Sequence, residues 1–189
     1  MRILLHICCA NCVIFPFLQL KGKGEEVVGY FFNPNIHPYQ EYLRRAGTLE
    51  TFAAKLGLPV LWDRSYPLEE FLRDIAFREA ERCRFCYYRR LTATARVARG
   101  GKFDAFTSTL LYSKFQNHEL IKELGQLVVL EVGVPFYYED FRKGWSEGMA
   151  KTKKLGLYKQ QYCGCIFSER DRFMRPEPAR MPQGRLVEK

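Results

Sequence analysis

Long hydrophobic runs are absent from this chain of 189 residues. Its uncharged apolar stretches, such as 27–35, are far shorter than the roughly 18–20 residues that cross a bilayer. The first residues run directly into a cysteine-rich turn, with neither an apolar segment of signal-peptide length nor a small-residue cleavage site. These absences predict a soluble cytoplasmic protein that has no membrane partner.

Two familiar nucleotide-binding motifs are also missing. The chain contains neither G-x-G-x-x-G nor a Walker A lysine motif, so a conventional phosphate loop is not expected. Histidine is scarce, and His6, His37 and His118 do not form a helical metal-binding pair. Each is predicted to be a hydrogen-bonded structural residue. His37 lies in a proline-flanked loop, which makes it a candidate substrate contact as well.

Positive charge is in excess. The chain has 30 Lys and Arg against 21 Asp and Glu, a net charge of +9, which favours a polyanionic partner. The alternative is a basic surface that only aids solubility. Two stretches are strongly basic, 78–102 and 142–159. Because both adjoin cysteines, they are candidate nucleic-acid surfaces, and the second contains the candidate contacts Arg142, Lys151, Lys153 and Lys154.

The hydrophobic pattern alternates between strands and helices. This alternation predicts an α/β fold with a parallel sheet in a doubly wound arrangement. Strands are expected at 2–7, 26–32, 59–63, 103–110 and 128–132, and helices at 12–21, 39–56, 68–99 (with a break near the Cys83–Cys86 pair) and 118–124. We expect one catalytic domain over 1–173, with an extension from about 133, and a loose C-terminal tail over 174–189.

Cysteine is abundant and clustered. A secreted disulfide framework would normally spread its cysteines along the chain, whereas an odd number in three tight clusters indicates metal or redox chemistry in a reducing compartment. The seven residues are Cys8, Cys9, Cys12, Cys83, Cys86, Cys163 and Cys165.

The first two clusters together offer four thiolates, from Cys8, Cys9, Cys83 and Cys86. Such a set can hold either structural zinc or a [4Fe–4S] cluster, and the spacing does not decide between them. The cysteines after strand 1 lie at the carboxyl edge of the predicted sheet, where ligands bind in this fold class. That position favours an active centre over structural zinc and over cysteines that only pack in the core.

The third cluster is a C-x-C, Cys163-Gly164-Cys165. Glycine permits the backbone conformation that close thiols require, and a disulfide in so small a ring is readily reduced. A redox-active pair is therefore favoured, with metal ligation by one of the two cysteines as the alternative.

Several segments, in this order, resemble the cobalamin-independent epoxyqueuosine reductases of the QueH family. They are His6-Ile7-Cys8-Cys9-Ala10-Asn11-Cys12, Phe32-Asn33-Pro34-Asn35-Ile36-His37-Pro38, Glu81-Arg82-Cys83-Arg84-Phe85-Cys86-Tyr87, Phe106-Thr107-Ser108-Thr109-Leu110-Leu111, Asp140-Phe141-Arg142 and Tyr158-Lys159-Gln160-Gln161-Tyr162-Cys163-Gly164-Cys165. Asn11 departs from the Ala-Pro-Cys pattern that is usual in the family. Because this is a turn position, the cysteines themselves are little affected.

The resemblance implies a fold related to the adenine-nucleotide α-hydrolase (HUP) group, with neither ATP nor cobalamin as cofactor. It implies reduction of the epoxide of epoxyqueuosine in the anticodon loop of tRNA, with electrons from an unidentified donor. It also implies a [4Fe–4S] cluster on Cys8, Cys9, Cys83 and Cys86, and a redox-active pair, Cys163 and Cys165. Cys12 is left for an additional iron or for packing, and Asn33, His37, Arg142, Lys151, Lys153 and Lys154 are the candidate substrate contacts.

Two rival functions belong to other classes. A zinc-stabilised tRNA-binding module without redox activity would also need four thiolates and a basic surface. A sulfur-transfer enzyme acting on tRNA is the other, and the missing phosphate loop for ATP argues against it.

Overall fold

A four-stranded, all-parallel sheet forms the centre of the computed structural model, which describes residues 1–174. The strands are β1 (Arg2–His6), β2 (Glu26–Phe31), β3 (Val60–Trp62) and β4 (Ala105–Ser108), in the spatial order β3-β2-β1-β4. The predicted parallel α/β, Rossmann-like fold is confirmed. The more specific relation to the HUP group stays a prediction.

The two central strands are buried on both faces. Residues 3–6 of β1 and 27–31 of β2 are buried at every position, as expected for parallel strands that helices cover on both sides. Leu4 lies opposite Val28 on one neighbour and Phe106 on the other. Strands β2 and β3 lie on one side of β1, and β4 lies on the other. The direction in which successive strands are added to the sheet therefore reverses between β1 and β4. The crevice at the carboxyl ends of β1 and β4 is therefore the expected ligand position.

Seven α-helices surround the sheet within residues 1–174. They are α1 (Ala10–Gly22), α2 (Tyr39–Leu56), α3 (Leu68–Ile75), α4 (Arg82–Gly100), α5 (His118–Val132), α6 (Trp145–Lys154) and α7 (Ile166–Phe173). The predicted interruption of the long helical segment is confirmed, since α3 ends at Ile75 and α4 begins at Arg82. Helix α1 begins two residues earlier than predicted, and Cys9 is its N-cap.

The fifth strand predicted at 128–132 is wrong, because these residues are the last turns of α5. Its buried residues Ile121, Leu124, Val128 and Val132 recur at helical spacing, and this periodicity outweighs the β propensity of the valines. Gly133 ends the helix with a left-handed φ of 79°.

The chain reaches the sheet edge a few residues later. Phe136 forms an isolated parallel bridge with Phe106 in β4. The Phe106 amide donates to Pro135 O at 2.9 Å, and the Tyr137 amide donates to Phe106 O at 2.8 Å. Gly125 in α5 leaves room for the ring of Phe136, which a Cβ there would strike. A single pairing thus replaces the predicted fifth strand.

Residues after Gly133 pack against α1. Gly144 and Gly148 leave room for Phe15 and Tyr112, whose atoms would collide with a Cβ at either glycine. The division into a catalytic domain over 1–173, with an extension from about 133, stays a prediction. Except for Met174, the predicted tail over 174–189 lies outside the described residues. None of the helices found in residues 1–174 has the length and apolar character to cross a membrane.

Candidate metal and redox centre

The first cysteine cluster lies where β1 passes into α1. Here β1 ends at His6, and Cys9 caps α1 in an extended conformation. Together with Cys8 and Cys12 it brings three thiols to within 4.8 Å of one another, with 3.8 Å between the Sγ atoms of Cys8 and Cys9. Among residues 1–174, these cysteines are the only group of three or more Cys, His, Asp or Glu side chains whose ligand atoms all lie within 4.8 Å of one another. The donor set fits a thiophilic metal centre.

The three thiols differ in their readiness to ionise. The Cys12 and Cys9 thiols hydrogen-bond to Cys8 and, with help from Arg90 and the Thr109 hydroxyl at 3.3 Å, hold its pKa well below the ordinary value. The hydrogen bonds of Cys12 to Cys8 and Cys9, together with burial, raise the pKa of Cys12. Negative charge therefore concentrates on Cys8.

The second cluster occupies the first turn of α4. Cys86 is buried and Cys83 is exposed. Burial raises the pKa of Cys86 to about 12, and Arg90 opposes that shift. The N-terminus of a helix carries partial positive charge, so the position itself favours thiolate or metal-bound thiolate.

The third cluster precedes α7. Cys165 is the N-cap of α7 and accepts a hydrogen bond from the Ser168 amide at 3.4 Å. Cys163 is exposed, and Gln116 Nε2 donates to its Sγ at 3.3 Å. The Oε1 atom of Gln116 accepts a 2.7 Å hydrogen bond from the Tyr87 hydroxyl. Gly164 has a φ of 152°, which a residue with a Cβ rarely adopts. All seven cysteines are free thiols.

Two buried arginines face the thiols, and sequence reasoning missed both. Arg45 in α2 donates to Glu41 at 2.7 Å and to the backbone oxygens of Cys163 and Tyr162 at 2.7 and 3.0 Å. It thereby holds the third cluster against the rest of the site. Arg90 in α4 lies 3.7 Å from the Sγ of Cys86.

Only one of these arginines left a readable signal in the sequence. Cys83, Cys86 and Arg90 are spaced i, i+3, i+7, which places them on one face of a helix. Arg45 has Glu41 four residues before it, a spacing that is also common on solvent-exposed helix faces and so does not indicate burial.

The loop after β2 holds Asn33 and His37. Asn33 is fully buried, and its amide accepts from Arg90 at 2.9 Å and donates to Ile7 O at 2.9 Å. His37 is also buried, its ring packs on Phe71, and neither ring nitrogen has a hydrogen-bond partner among residues 1–174. Burial lowers the pKa of His37 to about 4, so the ring is neutral near pH 7. Their contact with substrate stays a prediction.

The basic residues separate into paired and unpaired sets. In 78–102, three arginines are paired with carboxylates and Arg90 is buried; the pairs are Arg82–Asp171, Arg84–Glu123 and Arg89 with Glu70 and Asp74. In 142–159, Arg142 is paired with Asp140 and Lys151 with Glu147. Lys153 and Lys154 have no ion pair among residues 1–174, and Lys153 and Lys159 line a cleft between α6 and the following segment. Each stretch keeps four exposed cations without an ion pair among residues 1–174, and they are the larger share of the second stretch.

The predicted four-cysteine set is brought together only in part. Cys8 and Cys9 are in contact, and the third thiol beside them is Cys12. Cys86 lies beside Arg90, with 3.7 Å between its Sγ and Nη1, and both Cys86 and Cys8 raise the pKa of Arg90 against the effect of burial. Four ligands of one mononuclear ion would all be in mutual contact, whereas the irons of a cluster hold their ligands further apart. The thiols that are in contact, those of Cys8, Cys9 and Cys12, are compatible with metal binding.

Comparison with known proteins places this site in a family. The family model described as "Epoxyqueuosine reductase QueH" matches residues 3–171, which include all three cysteine clusters. The chain is 37% identical over 175 residues to epoxyqueuosine reductase QueH of Dehalococcoides mccartyi, covering 93% of this chain and 96% of that protein. It is 32% identical over 177 residues to the Thermotoga maritima protein of the same name, covering 88% and 89%.

The protein is thus an α/β protein whose first cysteine cluster lies where β1 passes into α1, and the family model matches it over nearly its whole length. The chain belongs to the QueH family of epoxyqueuosine reductases.

Proposed function

We propose that this chain reduces the epoxide of epoxyqueuosine in tRNA, which yields queuosine. The observation that carries the proposal is the meeting of the Cys8, Cys9 and Cys12 thiols at the carboxyl edge of the sheet in a member of this reductase family. The excess of positive charge supports a polyanionic substrate.

The cofactor we propose is a [4Fe–4S] cluster on Cys8, Cys9, Cys83 and Cys86. These residues lie at the N-termini of α1 and α4, where helix dipoles favour anionic groups. When bound, such a cluster supplies single electrons and Lewis acidity. Cys12, whose thiol lies within 4.8 Å of those of Cys8 and Cys9, is the proposed ligand for an additional iron.

Cys163 and Cys165 are the proposed redox-active pair. Removal of the epoxide oxygen as water, which leaves an alkene, consumes two electrons and two protons. Oxidation of two thiols to a disulfide releases the same number of each, so the step balances. Exposed Cys163 is accessible to substrate, and Gln116 orients its sulfur. Return of the disulfide to two thiols requires an external electron donor.

The proposed tRNA surface is the second basic stretch. Lys159 precedes Gln160, whose Nε2 donates to Cys9 Sγ at 3.1 Å, so this surface adjoins the thiols. Phosphate contacts from Lys153, Lys154 and Lys159 would hold the tRNA while the modified base enters the crevice. A tRNA substrate is consistent with a cytoplasmic location.

Anaerobic purification followed by metal analysis and a turnover assay tests this function. We expect iron, acid-labile sulfide and the broad visible absorbance of an iron–sulfur centre. Nucleoside mass spectrometry of tRNA that carries epoxyqueuosine should show conversion to queuosine when a chemical reductant is supplied. Colourless protein with stoichiometric zinc and no conversion would instead identify a zinc-stabilised tRNA-binding module.

A further inference from the structure

Arg90 is a buried charge at the centre of the cysteine site. Arg90 is only 1% exposed to solvent. Its guanidinium donates to Asn33 Oδ1 at 2.9 Å and to His6 Nε2 at 3.2 Å, and Nη1 lies 3.7 Å from Cys86 Sγ. These contacts fix the plane of the guanidinium, so its position is set by the fold.

No carboxylate balances this charge within residues 1–174, where the ion pairs do not include Arg90. Arg45, the other buried arginine, has Glu41 at 2.7 Å. A guanidinium cannot escape its charge by losing a proton. An unpaired buried charge is strongly destabilising, so the fold is expected to supply an anion.

The groups that face Arg90 identify this anion. His6 contacts Arg90, but an imidazole supplies no negative charge. Asn33 is an amide. The remaining neighbours are cysteines, of which Cys86, Cys8 and Cys163 are close enough to affect Arg90 electrostatically. Of these neighbours only the cysteines can carry negative charge, and binding of a metal holds them as thiolates.

We propose that Arg90 is a positioning residue whose guanidinium is the counter-ion of the thiolate–metal centre, raising its reduction potential and helping to retain its metal. This inference rests on the proposed function, since it requires an anionic centre in the crevice. Reduction adds negative charge to such a centre, and a fixed cation in a site of low dielectric stabilises the reduced state.

Three variants separate charge from shape. Arg90→Gln removes the charge, and Arg90→Lys keeps it while losing most of the hydrogen bonds. Asn33→Asp leaves Arg90 in place and supplies the missing carboxylate in a nearly isosteric side chain. Arg89→Gln is the matched control, because Arg89 is the neighbouring residue of α4 and pairs with Glu70 and Asp74 on the outer face.

Redox titration of the loaded proteins and iron release to a chelator are the two measurements. We expect Arg90→Gln and Asn33→Asp to lower the reduction potential and to release iron faster than the wild type. Arg90→Lys should keep a potential near that of the wild type, and Arg89→Gln should match it in both measurements. A purely structural role would leave the potential unmoved.

The inference is overturned if either neutralising variant folds, binds its cluster and keeps the wild-type potential. It is also overturned if Arg90→Lys shifts the potential as far as Arg90→Gln. Because each neutralising variant decides alone, failure of one to fold leaves the other as the test. Wild-type protein without an iron–sulfur centre would instead contradict the proposed function, so the two failures are distinguishable.

Discussion

Asn11 Nδ2 donates a hydrogen bond to Gln160 Oε1 at 2.8 Å, joining two residues that are 149 positions apart in the sequence. The same nitrogen donates to Tyr158 O at 2.8 Å. Gln160 in turn donates through Nε2 to Cys9 Sγ at 3.1 Å. Asn11 therefore holds the segment before the C-x-C against the first cysteine cluster.

Replacing Asn11 by Ala should loosen this segment. Loss of two buried hydrogen bonds is expected to cost about 1–3 kcal/mol of unfolding free energy. Cys9 and Cys12 should also be alkylated faster in chelator-treated protein, because Gln160 no longer covers them. Urea unfolding and peptide mapping after alkylation measure the two effects. Asn11→Pro restores the family residue, and protection of Cys9 equal to that of the wild type in this variant would show that Asn11 is dispensable.

The proposed cluster ligands are tested by comparing variants that each lack one cysteine. Cys83→Ala and Cys86→Ala should abolish cluster incorporation, because each removes one of the four proposed ligands. Cys12→Ala is the matched variant, and we expect it to keep the cluster while losing the additional iron. Iron and sulfide analysis of anaerobically purified protein gives the result. Full incorporation in Cys83→Ala together with loss in Cys12→Ala would move the fourth ligand to Cys12.

The C-x-C is expected to act in turnover and not in cluster binding. Cys163→Ser and Cys165→Ser should retain iron and sulfide but lose conversion of epoxyqueuosine, since neither can form the disulfide that supplies two electrons. Peptide mapping of oxidised wild-type protein should find the two residues joined. A variant that loses its cluster would reveal a ligand at that position.

Part of this site could be read from the sequence, because strong local signals mark it. A buried run that stops at Cys8 predicts both β1 and its position at the carboxyl edge, and Gly57 marks the end of α2. Charge counting, by contrast, treats every arginine as solvated. The buried states of Arg45 and Arg90 arise only when distant segments pack around them. At 128–132, local β propensity misled because it ignored the helical period that began ten residues earlier.

Neutralising the free lysines should weaken tRNA binding. In the variant Lys153→Gln/Lys154→Gln/Lys159→Gln, each lost phosphate contact is expected to remove about one unit from the slope of log affinity against log salt. Filter binding over a range of salt concentrations measures it, with cluster content unchanged. Lys21→Gln/Lys55→Gln is the control, since both residues are exposed near the ends of α1 and α2, at the opposite edge of the sheet. Equal slopes in the triple variant and the wild type would place the tRNA elsewhere.

The buried pair Glu41–Arg45 is expected to support the fold strongly. Glu41→Gln leaves the Arg45 charge without its carboxylate, which typically costs about 3–5 kcal/mol. Glu50→Gln is the control, since it breaks the exposed pair with Arg64 and should cost about 1 kcal/mol or less. Urea unfolding at matched metal loading compares them. Similar costs for the two variants would mean that Arg45 is stabilised by other groups.

The C-x-C lies near the end of the described chain, and this position constrains biogenesis. During synthesis, Cys8, Cys9 and Cys12 leave the ribosome more than 150 residues before Cys165. The complete set of seven thiols therefore exists only after Cys165 has been translated. Metal acquired before Cys83 is translated would meet the first cluster alone, and the C-x-C is the last of the three clusters to join the site.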